Sequence, residues 1–383
     1  MKNSLPRKSD RLAVLWAALE RAAVIAMVGV SLMGCGPKPA ISIGFLGGLS
    51  GKFSDLGIST RNGALLAVEQ ANAVGGVDGR QLALVEQDDK QSPEAALAAM
   101  EVFKAQGVVA VVGPSTSSIA VAVTPVANAA RLVMVAPTAT TNRLSGKDDY
   151  FLRAVGDASF YGRAAAQRHY QQQGIRSVAL ILDMANADYT ESWGEPYAAE
   201  FKALGGRVVS VERFKSTENP DHQAIAAKLL AGKPEMVITV ASSVDSAMIA
   251  QRSRGLSKEV RLAGSGWAST ERLIELGGAS VEGMLFEQYF DRYDTGPRFQ
   301  AFLKAYRDRF KDEPGYAAVL AYDAANMVIS GLKAGKDKDL KASILGIGKF
   351  DGAQSAITLD ATGDANRGVY FGVVKNGAFA KSN

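Results

Sequence analysis

From residue 41 onward, short β-branched runs alternate with amphipathic stretches of roughly 12 to 18 residues, the pattern of βα units wound around a parallel sheet. Candidate strands are Ile41 to Gly47, Gln81 to Gln87, Val108 to Val112 and Leu132 to Ala136, then Ser177 to Leu182, Arg207 to Phe214, Met236 to Val240 and Arg261 to Ala263. Helical spacing fills the gaps at Arg61 to Ala73, Pro93 to Gln106, Ser118 to Ala129, Phe160 to Gln173, Trp193 to Leu204, Asp221 to Ala231 and Val244 to Arg254. Two doubly wound halves are therefore expected. Further helices at Pro297 to Phe310 and Tyr316 to Leu332 precede short strands at Ala356 to Leu359 and Gly368 to Val374. A chain of 383 residues has the length for two such halves, each with its own core.

The first 34 residues read as an address. A basic opening is followed by an apolar run from Ala22 to Met33, the length of a secretory core and short of the roughly 20 residues that span a bilayer. Leu32-Met33-Gly34-Cys35 resembles a bacterial lipobox, which implies cleavage before Cys35 and lipidation of its thiol. Several acyl chains on one residue suffice for stable attachment. Residues 35 to 40 then form a lipidated Cys and a short tether, and the expected location is the cell envelope or periplasm, on a membrane.

Composition removes several classes of function. Cys35 is the single cysteine, and the two histidines are His169 and His222, so neither a disulfide framework nor a thiolate or His-rich metal centre is expected. No cofactor is called for. Residues 1 to 34 hold most of the net positive charge, so the remainder offers no electrostatic footprint for nucleic acid. No nucleophile stands with a base and an orienting partner, and both histidines read as surface residues, so an enzyme is not expected.

In open α/β sheets the ligand lies beyond the carboxyl ends of the strands. Val112-Gly113 leads into Pro114-Ser115-Thr116-Ser117-Ser118, which opens a helix, and the next strand ends in Pro137-Thr138-Ala139-Thr140-Thr141-Asn142. Hydroxyls and free amides at a helix start suit an anion such as a carboxylate. A single Ser there is equally an N-cap; the adjacent hydroxyl-rich ends together make a polar cradle. In the second half, Tyr189 and Trp267 follow strands and either pack or enclose an organic ligand. Asp245 sits where it caps a helix or pairs with a ligand cation.

These segments, taken in order, resemble the type I periplasmic solute-binding proteins of ABC transporters, in particular the leucine/isoleucine/valine-binding branch. The supporting patterns are Ile43-Gly44-Phe45-Leu46-Gly47-Gly48-Leu49-Ser50-Gly51, Asn62-Gly63-Ala64, Asn72-Ala73-Val74-Gly75-Gly76-Val77-Asp78-Gly79-Arg80, Asp88-Asp89, Val112-Gly113-Pro114-Ser115, Ala136-Pro137-Thr138-Ala139-Thr140, Phe151-Leu152-Arg153 and Val281-Glu282-Gly283. The resemblance implies an α/β fold of two Rossmann-like lobes joined by a three-crossover hinge. It divides the chain into an N-terminal lobe of 41–155 plus 285–355 and a C-terminal lobe of 156–284 plus 356–383. The implied function is capture of a small amino acid or related carboxylate in the interlobe cleft, for delivery to permease subunits of an ABC importer. A receptor for amides, urea or amino-group-free carboxylates is the alternative, and a monomer is expected.

By matching position, Ser117 resembles the hydroxyl that holds the ligand carboxylate, with Ser115 contributing backbone beside it. Thr138 corresponds to a backbone contact, Thr140 to a hydroxyl on the ligand head group, and Tyr189 to the second-lobe tyrosine that closes on the ligand. Three positions depart from the branch. Gly266 stands where a Glu pairs the ligand ammonium, Ser242 where an aromatic is expected, and Leu56 where a Tyr is expected. An amino-acid ligand then requires a substitute carboxylate, with Asp245 or Glu271 as candidates. Otherwise the ligand is a keto or aromatic acid, for which Trp267 is suited.

Overall fold

The computed structural model describes residues 38–52, 54–335 and 339–382, so the expected signal peptide and Cys35 lie outside the described residues. Strand β1 (Ile41–Gly47) is buried at every residue except Ser42, as a parallel strand covered on both faces must be. It pairs in parallel with β2 (Leu82–Asp88) and β3 (Ala110–Val112), and β4 (Val133–Ala136) and β5 (Phe151–Arg153) extend the sheet in the order β2-β1-β3-β4-β5. Helices α1 (Ser54–Ala73), α2 (Pro93–Ala105) and α3 (Ser117–Ala130) connect these strands. Local chemistry starts α2: the Ser92 hydroxyl accepts from Ala95 N and Pro93 occupies the first turn, where a missing N–H costs nothing.

The chain then crosses to a second sheet through α4 (Ala158–Gln167) and β6 (Ser177–Asp183). There α5 (Ala187–Ala203), β7 (Arg207–Phe214), α6 (His222–Ala231), β8 (Met236–Val240), α7 (Ser243–Leu256), β9 (Arg261–Gly264), α8 (Glu271–Gly277) and β10 (Leu285–Gln288) repeat the βα pattern. It returns through α9 (Pro297–Phe310), α10 (Tyr316–Ala334) and α11 (Leu340–Ile347) to a small sheet of β11 (Lys349–Asp351), β12 (Ala356–Leu359) and β13 (Ala365–Asn366). Helix α10 lies so close to α1 that a Cβ on Gly63 would stand 2.1 Å from Ala318 O. A third crossing leads to β14 (Tyr370–Lys375) and β15 (Ala378–Lys381), antiparallel additions that complete the order β15-β14-β10-β9-β8-β6-β7. Two parallel-sheet lobes joined by three crossovers are thus observed. Among the described residues no helix is long and apolar enough to cross a membrane.

Two boundaries move. The expected return to the first lobe at 285 falls after Gln288, because β10 hydrogen-bonds between β9 and β14 in the second sheet. The expected switch at 356 falls after Asn366, because Ile357, Leu359 and Ala365 join the core of Ile43, Val112 and Leu152. Helix α5 begins at Ala187 instead of Trp193, which puts Tyr189 in its first turn.

His169 is buried and His222 is only partly exposed, so neither is the open surface residue expected. His169 lies in a π-helical turn, Arg168–Gln172, with Nδ1 2.9 Å from the Tyr197 hydroxyl. Burial, with Arg261 and Arg168 nearby, lowers its pKa to about 3, so it is neutral. His222 is partly covered, and its Nε2 is 2.9 Å from Asp245 Oδ1.

Candidate functional site

The cleft is built where β3 and β4 end. At Gly113, φ is +130° and a Cβ would stand 2.3 Å from Leu46 O, so only glycine lets the chain turn there into Ser115-Thr116-Ser117. The Ser117 hydroxyl accepts from the N–H groups of Thr140 and Thr141, each at 3.1 Å. With both lone pairs engaged, its remaining capacity is to donate its proton. Thr138 Oγ1 donates to Ser115 O at 2.6 Å, tying the two loops together. A rigid cradle at the positive end of α3 results.

The second lobe closes onto it. Asn186 Oδ1 accepts from Ser118 N at 3.0 Å, and Asp188 N donates to Ser118 Oγ at 3.3 Å. The remaining cavity, about 20 Å³, is on the scale of one water molecule, so entry of an organic solute requires the lobes to part. From the first lobe it is lined by Leu56, Ser115, Thr116, Ser117 and Thr138. Facing them are Asn186, Tyr189, Trp267 and Tyr289, with Tyr316 from the start of α10. The rings interlock: Tyr189 stands edge-on to Trp267 with centroids 5.7 Å apart, and Tyr289 and Tyr316 lie 5.0 Å apart. The Tyr316 hydroxyl donates to Trp267 O at 3.3 Å.

Of the residues expected from sequence, Ser115, Ser117, Thr138, Tyr189 and Trp267 come together around this cavity. Thr140 does not line it; its Oγ1 is buried with no partner among the described residues, and its N–H supports Ser117. Asp245 is displaced from the expected role. Its Oδ1 meets Lys52 Nζ at 2.6 Å and His222 Nε2 at 2.9 Å, and its Oδ2 accepts from Ser242 Oγ at 2.8 Å. Burial pushes its pKa up, but the hydrogen bonds from His222, Lys52 and Ser242 outweigh it, and the carboxylate is held below its ordinary range. Ser242 caps α7 and does not face the cavity. Glu271 pairs with Arg292, also away from the cavity lining.

Sequence reasoning missed Tyr289, Tyr316, Asn186 and Glu287. Tyr289 directly follows β10, so the strand-end rule would have found it; Tyr316 opens a helix after the second crossover and carries no local signal. Glu287 is fully enclosed. Its Oε1 accepts from Gly266 N at 2.6 Å and from the Trp193 indole at 2.8 Å, and its Oε2 has no partner among the described residues. Burial, against the hydrogen bonds from Gly266 and Trp193, raises its pKa to about 8. The glycine it contacts is no less constrained: a Cβ on Gly266 would stand 2.7 to 3.0 Å from Cε2, Cζ and Oη of the Tyr289 ring.

The model of a family described as periplasmic binding protein matches residues 40–378. The chain belongs to the periplasmic binding protein family. As a periplasmic binding protein it is 24% identical over 366 residues to the leucine-, isoleucine-, valine-, threonine- and alanine-binding protein of Pseudomonas aeruginosa, covering 94% of each chain. A leucine-binding protein from Thermotoga maritima shares its fold with a TM-score of 0.83 and 25% identity, covering 90% of this chain and 98% of the other. A solute-binding protein of an R. palustris ABC transporter, solved in complex with benzoate, superposes with a TM-score of 0.80 at 20% identity, covering 89% of this chain and 95% of its own. The Pseudomonas relative and the Thermotoga leucine-binding protein place the chain in the leucine/isoleucine/valine-binding-like branch, and the family is periplasmic.

Proposed function

We propose that this protein is the substrate-binding component of an ABC importer, held to a membrane by lipid on Cys35, and that it captures a small branched-chain-like amino acid or related carboxylate between its lobes. The observation that carries this reading is the Ser117 hydroxyl: with both lone pairs used by Thr140 and Thr141, it presents its proton to the cavity beside the α3 N-terminus. The Pseudomonas relative's name supports an amino acid. The aromatic rings of Tyr189, Trp267, Tyr289 and Tyr316 support an amino-group-free acid, as does the benzoate held by the R. palustris neighbour. Affinity follows from closure, which dries the hydrogen bonds to the ligand.

A thermal-shift screen of protein unfolded and refolded to strip carried-over solute tests the reading, using amino acids, keto acids, aromatic acids, amides and urea. A true ligand at 100 times its dissociation constant adds about 2.7 kcal/mol of stability. Stabilisation by amides or urea alone overturns the carboxylate assignment. Metabolic labelling with a fatty acid, lost in Cys35→Ser, tests the anchor; an unlabelled wild-type chain removes it.

A further inference from the structure

The polar half of the cavity is matched to an anion, but its other half is matched to nothing charged. Among the described residues that line it, none is acidic or basic. An α-amino acid brings an ammonium within a few ångströms of the carboxylate that Ser117 would hold, and a buried ammonium without a counter-ion is costly.

Among the described residues no carboxyl group lines the cavity, and the acidic residues of the loops around the cleft make other contacts. Asp245 is committed to Lys52 and His222, Glu271 to Arg292, and Asp188 to Arg143. Asp183 caps the turn after β6 by accepting from Ala185 N, and Asp55 accepts from Ser243 and Thr270 across the cleft. Glu287 remains, and it stands behind the wall. Its Oε1 is held by Gly266 and Trp193, and the Tyr289 ring occupies the space above Gly266 through which a side chain would reach the cavity. The Tyr289 hydroxyl lies 3.5 Å from that of Tyr189, so the surface offered to the ligand is phenolic and neutral.

We propose that the cleft selects small carboxylates that carry no amino group, with Tyr289 filling the place where a counter-charge for ammonium would have to stand. The proposal rests on the reading that Ser117 holds a carboxylate. The ligand's body is flat or compact and apolar, enclosed by Tyr189, Trp267 and Tyr316.

Isothermal titration of the stripped protein with matched pairs tests it: 4-methyl-2-oxopentanoate against leucine, 3-phenylpropanoate against phenylalanine, and benzoate alone. The amino-free member of a pair binds at least about 100-fold tighter, equivalent to roughly 2.7 kcal/mol. Tyr289→Ala, which opens the wall to water, narrows that ratio. Leucine or phenylalanine binding as tightly as its partner overturns the proposal, as does an amino-acid affinity that rises through pH 8 and is lost in Glu287→Gln, since Glu287 would then be the counter-charge. If neither member of any pair binds, the carboxylate reading itself has failed.

Discussion

Lys52, in the loop after β1, and Asp245, in the first turn of α7, meet at 2.6 Å across the interlobe cleft. Their lobes are otherwise joined here by Asp55, whose Oδ2 accepts from Ser243 Oγ and Thr270 Oγ1, each at 3.0 Å. The Lys52 side chain is 34% exposed while Asp245 is fully buried, so the pair is partly screened and contributes about 1 kcal/mol to the closed form. Lys52→Ala should therefore weaken ligand binding about fivefold without changing the melting temperature of the separate lobes. Titration calorimetry reads the first and scanning calorimetry the second. Unchanged affinity would mean the pair does not favour closure. Because the Asp245 pKa is lowered, its contribution is full above the ordinary aspartate range near 4 and fades as pH falls below it.

Ser117→Ala removes a hydroxyl whose proton is left for the ligand while leaving the N–H groups of Thr140 and Thr141 without that acceptor. Carboxylate affinity should fall by about 1 to 3 kcal/mol, or roughly 5- to 150-fold. A folded variant with wild-type affinity would take Ser117 out of the site.

The fold was legible because its signals are local. The runs from Ile41, Arg207 and Met236 became strands with the expected limits: those from Ile41 and Met236 are buried and written as near-continuous apolar stretches, while the one from Arg207 is a Val-rich edge strand with Arg207 and Arg213 exposed. Ser117, Thr138 and Tyr189 were legible for the same reason, as hydroxyl or aromatic residues at strand ends. Asp245 was not: capping a helix and facing a ligand place a residue at the same point of the chain, and the partner that decides, Lys52, is 193 residues away. Glu287 was hidden differently. It lies within β10, where an acidic residue reads as solvated, and only the Trp193 indole and Gly266 N–H explain its burial.

The carboxyl of Glu287 predicts a pH profile. Its pKa is raised from 4.5 to about 8, so the folded protein holds a proton there that the unfolded chain releases, and stability declines as pH rises between these values. The groups facing it are Tyr161 on α4, Tyr189, Trp193 and Tyr197 on α5, Tyr289 after β10 and Tyr316 on α10. Burial raises the pKa of all five tyrosines, so none of them titrates in that window. Glu287→Gln should flatten the decline in melting temperature between pH 5 and 8. Above about pH 8 the wild-type carboxylate adds negative charge beside a carboxylate ligand, so affinity for benzoate or a keto acid should drop there. In Glu287→Gln that drop is absent; a profile identical to wild type would show that Glu287 does not ionise in this range.

Gly266→Ala separates the packing of the cleft from its selectivity. The added methyl would come within 2.7 to 3.0 Å of the Tyr289 ring, which must swing aside. What it meets is a side-chain ring that can turn and not fixed backbone, so the cost to folding should stay within about 1 to 3 kcal/mol, seen as a loss of a few degrees in melting temperature. The wall of the cavity is then altered where the ligand's body rests. Binding of amino-free carboxylates should weaken more than tenfold while the Glu287 contact to the backbone of residue 266 persists, since that contact is to the N–H and needs no glycine. Calorimetric affinities for benzoate and 4-methyl-2-oxopentanoate check this directly. Wild-type affinities in the variant would mean that the Tyr289 ring, although it lines the cavity, makes no contact that binding depends on.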